Sequence, residues 1–192
     1  MRKTVYISEG SSGKWLLPLL LIEFAGIAAG SFISMYIRES AVFRRYICPE
    51  LFGGSLLEIF TGTLVTLLIF LMAAFFFGLC VFGQPFGAAL LICLGAECAC
   101  SAALIYAEMG MSGLPSVLIL NLPKTAVVSL VGILAVRELM RNSCGLLRST
   151  INGADSPDFR KYCMRYAVLA AVVVIISAAD VLVNHFFGIK IP

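Results

Sequence analysis

Four ionisable residues stand where charge is costly: Glu23, Glu97, Lys124 and Asp180 each fall inside a long apolar run. On insertion scales a charged side chain at the centre of a spanning helix costs about 3 kcal/mol, so such residues pair with one another or mark a substrate or ion pathway. Lys124 follows Pro123, which must open or kink a helix because it has no N–H to donate. The sequence therefore predicts that Lys124 pairs with Glu97 or with Glu23. If so, Lys124→Ala alone should destabilise more than the double change with Glu97→Ala, because a lone buried charge costs more than an absent pair. Cys93 and Cys100 flank Glu97 on one helical stripe, and thiolates with a carboxylate can ligate zinc or copper. The only histidine, His185, lies at the far end of the last apolar run, and neither a metal nor a cofactor is expected. No P-loop, HExxH or GxSxG stretch occurs, so no catalytic residue is assigned and the chain is not expected to be an enzyme.

The elements that must position these residues follow from composition. With a mean hydropathy of +1.00, 60% hydrophobic residues and 13% charged ones across 192 residues, the chain lies far outside the soluble globular range. A spanning helix needs about 20 mostly apolar residues. Five stretches qualify, roughly 15–37, 57–82, 86–108, 114–136 and 166–187. No stretch alternates polar and apolar residues as a membrane barrel strand would. The expected fold is an all-α polytopic bundle of five transmembrane helices forming one domain.

Short connections fix neighbours. Gly83, Gln84 and Pro85 make one hinge, and Gly110 to Gly113 another. The third and fourth spans must then lie antiparallel and touch. The third span is almost entirely small residues around Gly95, so a neighbour must come close there or a cavity must exist. Cys93, Glu97, Cys100 and Leu104 share one helical stripe at spacings of four, three and four. In the first span Gly26 and Gly30 form a GxxxG patch that admits another backbone, within the chain or between chains. The fourth span opens with Pro115 in its first turn, where a missing N–H costs nothing.

Basic residues favour the cytoplasmic side. The N-terminus, second loop and fourth loop together carry nine, against four on the opposite face, which predicts a cytoplasmic N-terminus, an outer C-terminus and a cytoplasmic loop over 138–162. The basic residues of that loop can contact anionic headgroups. Phe43, Tyr46, Leu51 and Phe52 in the first outward loop suggest an amphipathic piece at the interface. The seven cysteines, Cys48, Cys80, Cys93, Cys98, Cys100, Cys144 and Cys163, are scattered rather than arranged as a disulfide framework. A net charge of +3 gives no reason to expect a nucleic acid partner.

The run Gly78, Leu79, Cys80, Val81, Phe82, Gly83, Gln84 and Pro85, then Leu94-Gly95, Met109 to Gly113, Leu122-Pro123 and Arg165-Tyr166 before a span with a late acid, resembles the stage II sporulation protein M family of bacterial membrane proteins. The likeness covers about the C-terminal two thirds of the chain, which departs from the family pattern at Lys124 and Thr125. It implies a five-span, non-enzymatic scaffold in the bacterial cell membrane. Its partners would be the peptidoglycan hydrolases called stage II sporulation proteins D and P, recruited during engulfment. The competing expectation is a membrane subunit of a transporter or ABC-type export complex, since a helix broken at Pro123 beside intramembrane charges is how midplane substrate sites are built. Either role implies contact with lipid and with other membrane or cell-wall proteins, as a homo- or hetero-oligomer.

Overall fold

A computed structural model describes residues 16–37, 55–153 and 158–187. The polar lead 1–13, the loop with Phe43, Tyr46, Leu51 and Phe52, and the Ser156-Pro157 turn lie outside the described residues. Five long helices follow one another: α1 (Leu16–Ile37), α2 (Leu56–Gly78), α3 (Gly83–Met109), α4 (Leu122–Asn152) and α5 (Phe159–Phe187). Among the described residues these are the helices long and apolar enough to cross a membrane, and no strand occurs. The chain is therefore an all-α, multi-pass membrane bundle.

Local chemistry sets the ends of these helices. Ser55 caps α2 by accepting the Glu58 N–H at 3.2 Å, while the Glu58 carboxylate accepts the Ser55 N–H at 3.0 Å; this reciprocal pair satisfies two donors that a helix start leaves open. Gly110 and Gly153 adopt positive φ, +58° and +62°, where a side chain would be strained. The first sends the chain from α3 into a 3-10 turn, Gly110–Gly113. The second closes α4, its N–H bonding Ser149 O at 3.1 Å. Asp158 caps α5 by accepting the Arg160 N–H at 3.1 Å.

Several of the expected boundaries shift. The second span stops at Gly78, residues 79–82 form the turn before α3, and the expected hinge residues Gly83, Gln84 and Pro85 make the first turn of α3 itself. The segment expected as a loop, 138–162, is mostly helix: α4 continues to Asn152 and α5 begins at Phe159. At 31 residues, α4 is about 46 Å long, well beyond a hydrocarbon core of about 30 Å. The extension is held because its inner side docks on the α2–α3 turn. Asn142 donates to Gly78 O at 2.8 Å and Ser143 donates to Val81 O at 3.0 Å. Ser143 Oγ in turn accepts the Gly83 N–H at 3.1 Å, and the Gln84 amide reaches Cys144 Sγ at 3.0 Å. Gly83 is buried at the start of α3 and its Cβ position is filled by Phe77 O, so only glycine fits; Pro85 lies exposed in the first turn. Phe77 and Phe86 stack across the hinge with ring centroids 4.5 Å apart.

Helices α3 and α4 form the antiparallel centre that the short second hinge demands. Leu94 sits over Gly132, and Leu139 and Val136 over Gly87. On the far side of α4, α5 runs antiparallel to α2. Tyr162 donates to Phe75 O at 2.9 Å and Tyr166 to Ala135 O at 2.8 Å, giving each buried phenol the partner it requires. Arg165 pairs with Glu138, tying α5 to α4.

Candidate functional site

A close backbone-to-backbone approach joins α1 to α3, with the two helices parallel. A Cβ on Gly26 would lie 2.5 Å from Ile92 O, and one on Gly30 would lie 2.5 Å from Ala96 Cα. A Cβ on Gly95 would lie 2.6 Å from Glu23 O. The GxxxG patch is thus consumed within the chain. Much of the small-residue stretch of α3 serves α1, rather than the fourth span as the sequence led us to expect. Cys100 adds to the same seam, its thiol donating to Gly30 O at 3.2 Å.

That seam separates the expected charge cluster into three. Glu23 is sealed against α3, with 3% of its surface exposed and its Oε1 without a hydrogen-bond partner among the described residues. An unpaired buried acceptor costs about 1–3 kcal/mol. We therefore expect Glu23→Met, nearly the same volume, to leave stability unchanged or raise it by about 1 kcal/mol, read as the midpoint of denaturant unfolding in micelles. A fall of similar size would mean that the carboxyl holds a partner the bundle depends on.

Glu97 lies elsewhere. It is halfway along α3 and exposed on the outer surface of the bundle, with Cys93 exposed one turn below it. The charge of Lys124 reaches it through space, yet its carboxylate makes no ion pair or hydrogen bond with the described residues. The stripe Cys93, Glu97, Cys100 and Leu104 is one geometric face, but its upper half is covered and its lower half is open. No group of three or more His, Cys, Asp or Glu side chains converges on a common point among the described residues.

The third group is built around Pro123. A π-helical segment, Val117–Asn121, precedes it; the wider turn accommodates a ladder in which Pro123 can offer no N–H to the carbonyl of Ile119. Thr125 compensates locally by donating to Asn121 O at 2.5 Å. Asn121, itself buried, donates to Ser101 Oγ at 3.2 Å, linking the π segment to α3. One turn further, Lys124 Nζ lies 2.7 Å from Asp180 Oδ2. The expected partners of Lys124, Glu97 and Glu23, are therefore replaced by Asp180 on α5. The reason is lateral order: α5 packs beside the start of α4, while α1 lies across α3.

Asp180 is well provided for. Its side chain is 3% exposed, Thr63 on α2 donates to Oδ2 at 2.8 Å, and Asn184 donates to Oδ1 at 3.1 Å. Three helices thus converge on one carboxylate. Sequence reasoning missed Thr63 and Asn184 as partners. Asn184 was detectable, since an amide four residues after an acid faces it on a helix; Thr63 was not, because nothing local ties it to α5. The arrangement gives the buried carboxylate a counter-charge and two hydrogen bonds.

Fold and polar groups together define a polytopic membrane protein with an ion pair whose acid is buried and, within range of the lysine's charge, a second acid that is exposed. No family model, no curated protein and no solved structure matches the chain.

Proposed function

We propose that this chain is a non-enzymatic membrane scaffold that presents Glu97 at membrane depth to a helix of another membrane protein. The exposed position of Glu97 carries the reading. It stands 12 to 14 residues from either end of a 27-residue helix, about 20 Å from each, where a carboxyl group facing hydrocarbon is costly. A neighbouring chain with a basic or hydrogen-bonding side chain relieves that cost, as polar side chains commonly do between membrane helices. The resemblance to stage II sporulation protein M supplies the setting: a bacterial cell membrane, the N-terminus cytoplasmic and the C-terminus outside. It also supplies the partners, peptidoglycan hydrolases recruited as stage II sporulation proteins D and P are during engulfment. A second reading, a membrane subunit of an ABC-type export complex, is favoured by the π segment beside the Lys124–Asp180 pair, since such segments are frequent at functional sites.

A photoreactive residue placed at position 97, with one at the exposed Met72 as control, tests the docking face in native membranes. Position 97 should give a discrete protein adduct and position 72 mainly lipid. Lipid-only labelling at both positions would end the scaffold reading. A cell-wall hydrolase in the adduct's complex supports the first setting, and an ATPase the second.

A further inference from the structure

Between α2 and α5 runs an apolar groove of about 300 Å³, lined by Leu68, Met72 and Phe75 on one side and Cys163, Ala167 and Ala170 on the other. Its floor is completed by buried Leu71 and Tyr166. Its lining extends along both helices, from Leu68 to Phe75 and from Cys163 to Ala170. On α5 the lining residues recur at spacings of three and four. Continuing that face one turn toward the helix start reaches Phe159, whose ring lies 6.5 Å from that of Phe75, and Arg160, which is exposed. From Arg160 to Ala170 the helix rises about 15 Å, half of a hydrocarbon core of about 30 Å. The dimensions are those of one lipid chain in one leaflet, and the cation stands where that lipid's phosphate would be.

We propose that this groove is a binding site for a single anionic phospholipid, with an acyl chain between α2 and α5 and its headgroup phosphate on the Arg160 guanidinium. A guanidinium suits the task because it meets phosphate through two parallel N–H donors and is desolvated more readily than an ammonium. The other basic residues at the start of α5 are differently engaged: Arg165 pairs with Glu138, and Lys161 lies 3.4 Å from Asp158 on a face turned away from the groove. The small side chains of Ala167 and Ala170 matter as much as the charge, because any larger residue would fill the channel.

Delipidated full-length protein in a neutral detergent would be titrated with phosphatidylglycerol or with phosphatidylcholine of identical chains. Thermal midpoint and native mass spectrometry are the readouts. The expected result is one retained phosphatidylglycerol, bound at least tenfold more tightly than phosphatidylcholine, with the midpoint raised accordingly. Arg160→Gln should remove the preference and leave the weaker, headgroup-independent binding. Ala167→Phe should weaken both lipids; should that variant fail to fold, Ala170→Val serves in its place. Arg148→Gln, on the exposed end of α4, should keep the preference intact. Equal binding of the two lipids, a preference that survives Arg160→Gln, or one that falls equally in Arg148→Gln would overturn the site. The last would mean diffuse attraction to basic charge instead.

Discussion

Adding one methyl group at Gly30 or at Gly26 should destabilise the protein by about 3 kcal/mol, at the upper end of what overpacking usually costs. The sign is the informative part. In the interior of a helix, Gly→Ala ordinarily stabilises by about 0.5–1 kcal/mol, because glycine loses more backbone freedom on folding and helix formation. Gly62 on α2 tests that baseline, since a Cβ there would meet nothing within 4 Å. At Gly26 and Gly30 the new carbon would meet the backbone of α3, at 2.5 Å from Ile92 O and 2.5 Å from Ala96 Cα respectively. Backbone cannot rotate aside as a flexible side chain can, so the helices must separate along the seam. Separation also breaks the Cys100 bond to Gly30 O and loosens the packing over Gly95. The three alanine variants would be compared by unfolding in mixed micelles. Gly62→Ala should match or exceed the parent, and Gly26→Ala and Gly30→Ala should fall well below it. Two glycine variants as stable as the parent would mean that α1 does not lie against α3.

The same seam shows what was legible in the sequence and what was not. Span number and approximate position followed from length and hydropathy, because the bilayer sets a minimum run of apolar residues. The hinges beside Gly83 and at Gly110 followed from glycine chemistry, and the disturbance before Pro123 from proline's missing N–H. The extension of α4 through residues 137–152 escaped a reading based on hydropathy. It is polar on one side yet helical, and it is held by Asn142 and Ser143 docking on a turn some 60 positions earlier in the chain.

The charged residues were legible as a set but not as pairs. A helix period fixes which residues share a face; it does not fix which neighbour covers that face. Gly95 and Glu97 are two residues apart on α3, and one lies beneath α1 while the other faces outward. Cys93 and Cys100 share a stripe, and only Cys100 is covered. Pairing Lys124 with Glu97 or Glu23 assumed that acids on nearby spans turn toward the base. The structure brings α5 to that position, and Asp180 with it.

The Lys124–Asp180 contact leads to the prediction with the largest energetic contrast. Removing one member of a buried ion pair costs about 3–5 kcal/mol because the survivor keeps its charge without compensation, whereas replacing both by apolar residues of similar size is often close to neutral. Lys124 retains 26% exposure and Asp180 only 3%, so the loss should be greater when the lysine is removed and the acid left behind. Lys124→Met is expected to cost about 3–4 kcal/mol. The hydrogen bonds from Thr63 and Asn184 hold this figure below the full penalty, since they solvate the carboxylate without neutralising it. Asp180→Leu leaves a partly exposed ammonium on a flexible stem that can turn toward water or toward Glu97, and should cost about 2 kcal/mol. The double variant should return to within about 1 kcal/mol of the parent, giving a coupling of several kcal/mol in a double-mutant cycle. A parallel cycle on Lys124 and Glu97 separates contact from proximity. Their charges sense one another but Glu97 is exposed, so that cycle should be close to additive. Additivity between Lys124 and Asp180, or strong coupling between Lys124 and Glu97, would turn the lysine toward α3 and away from α5.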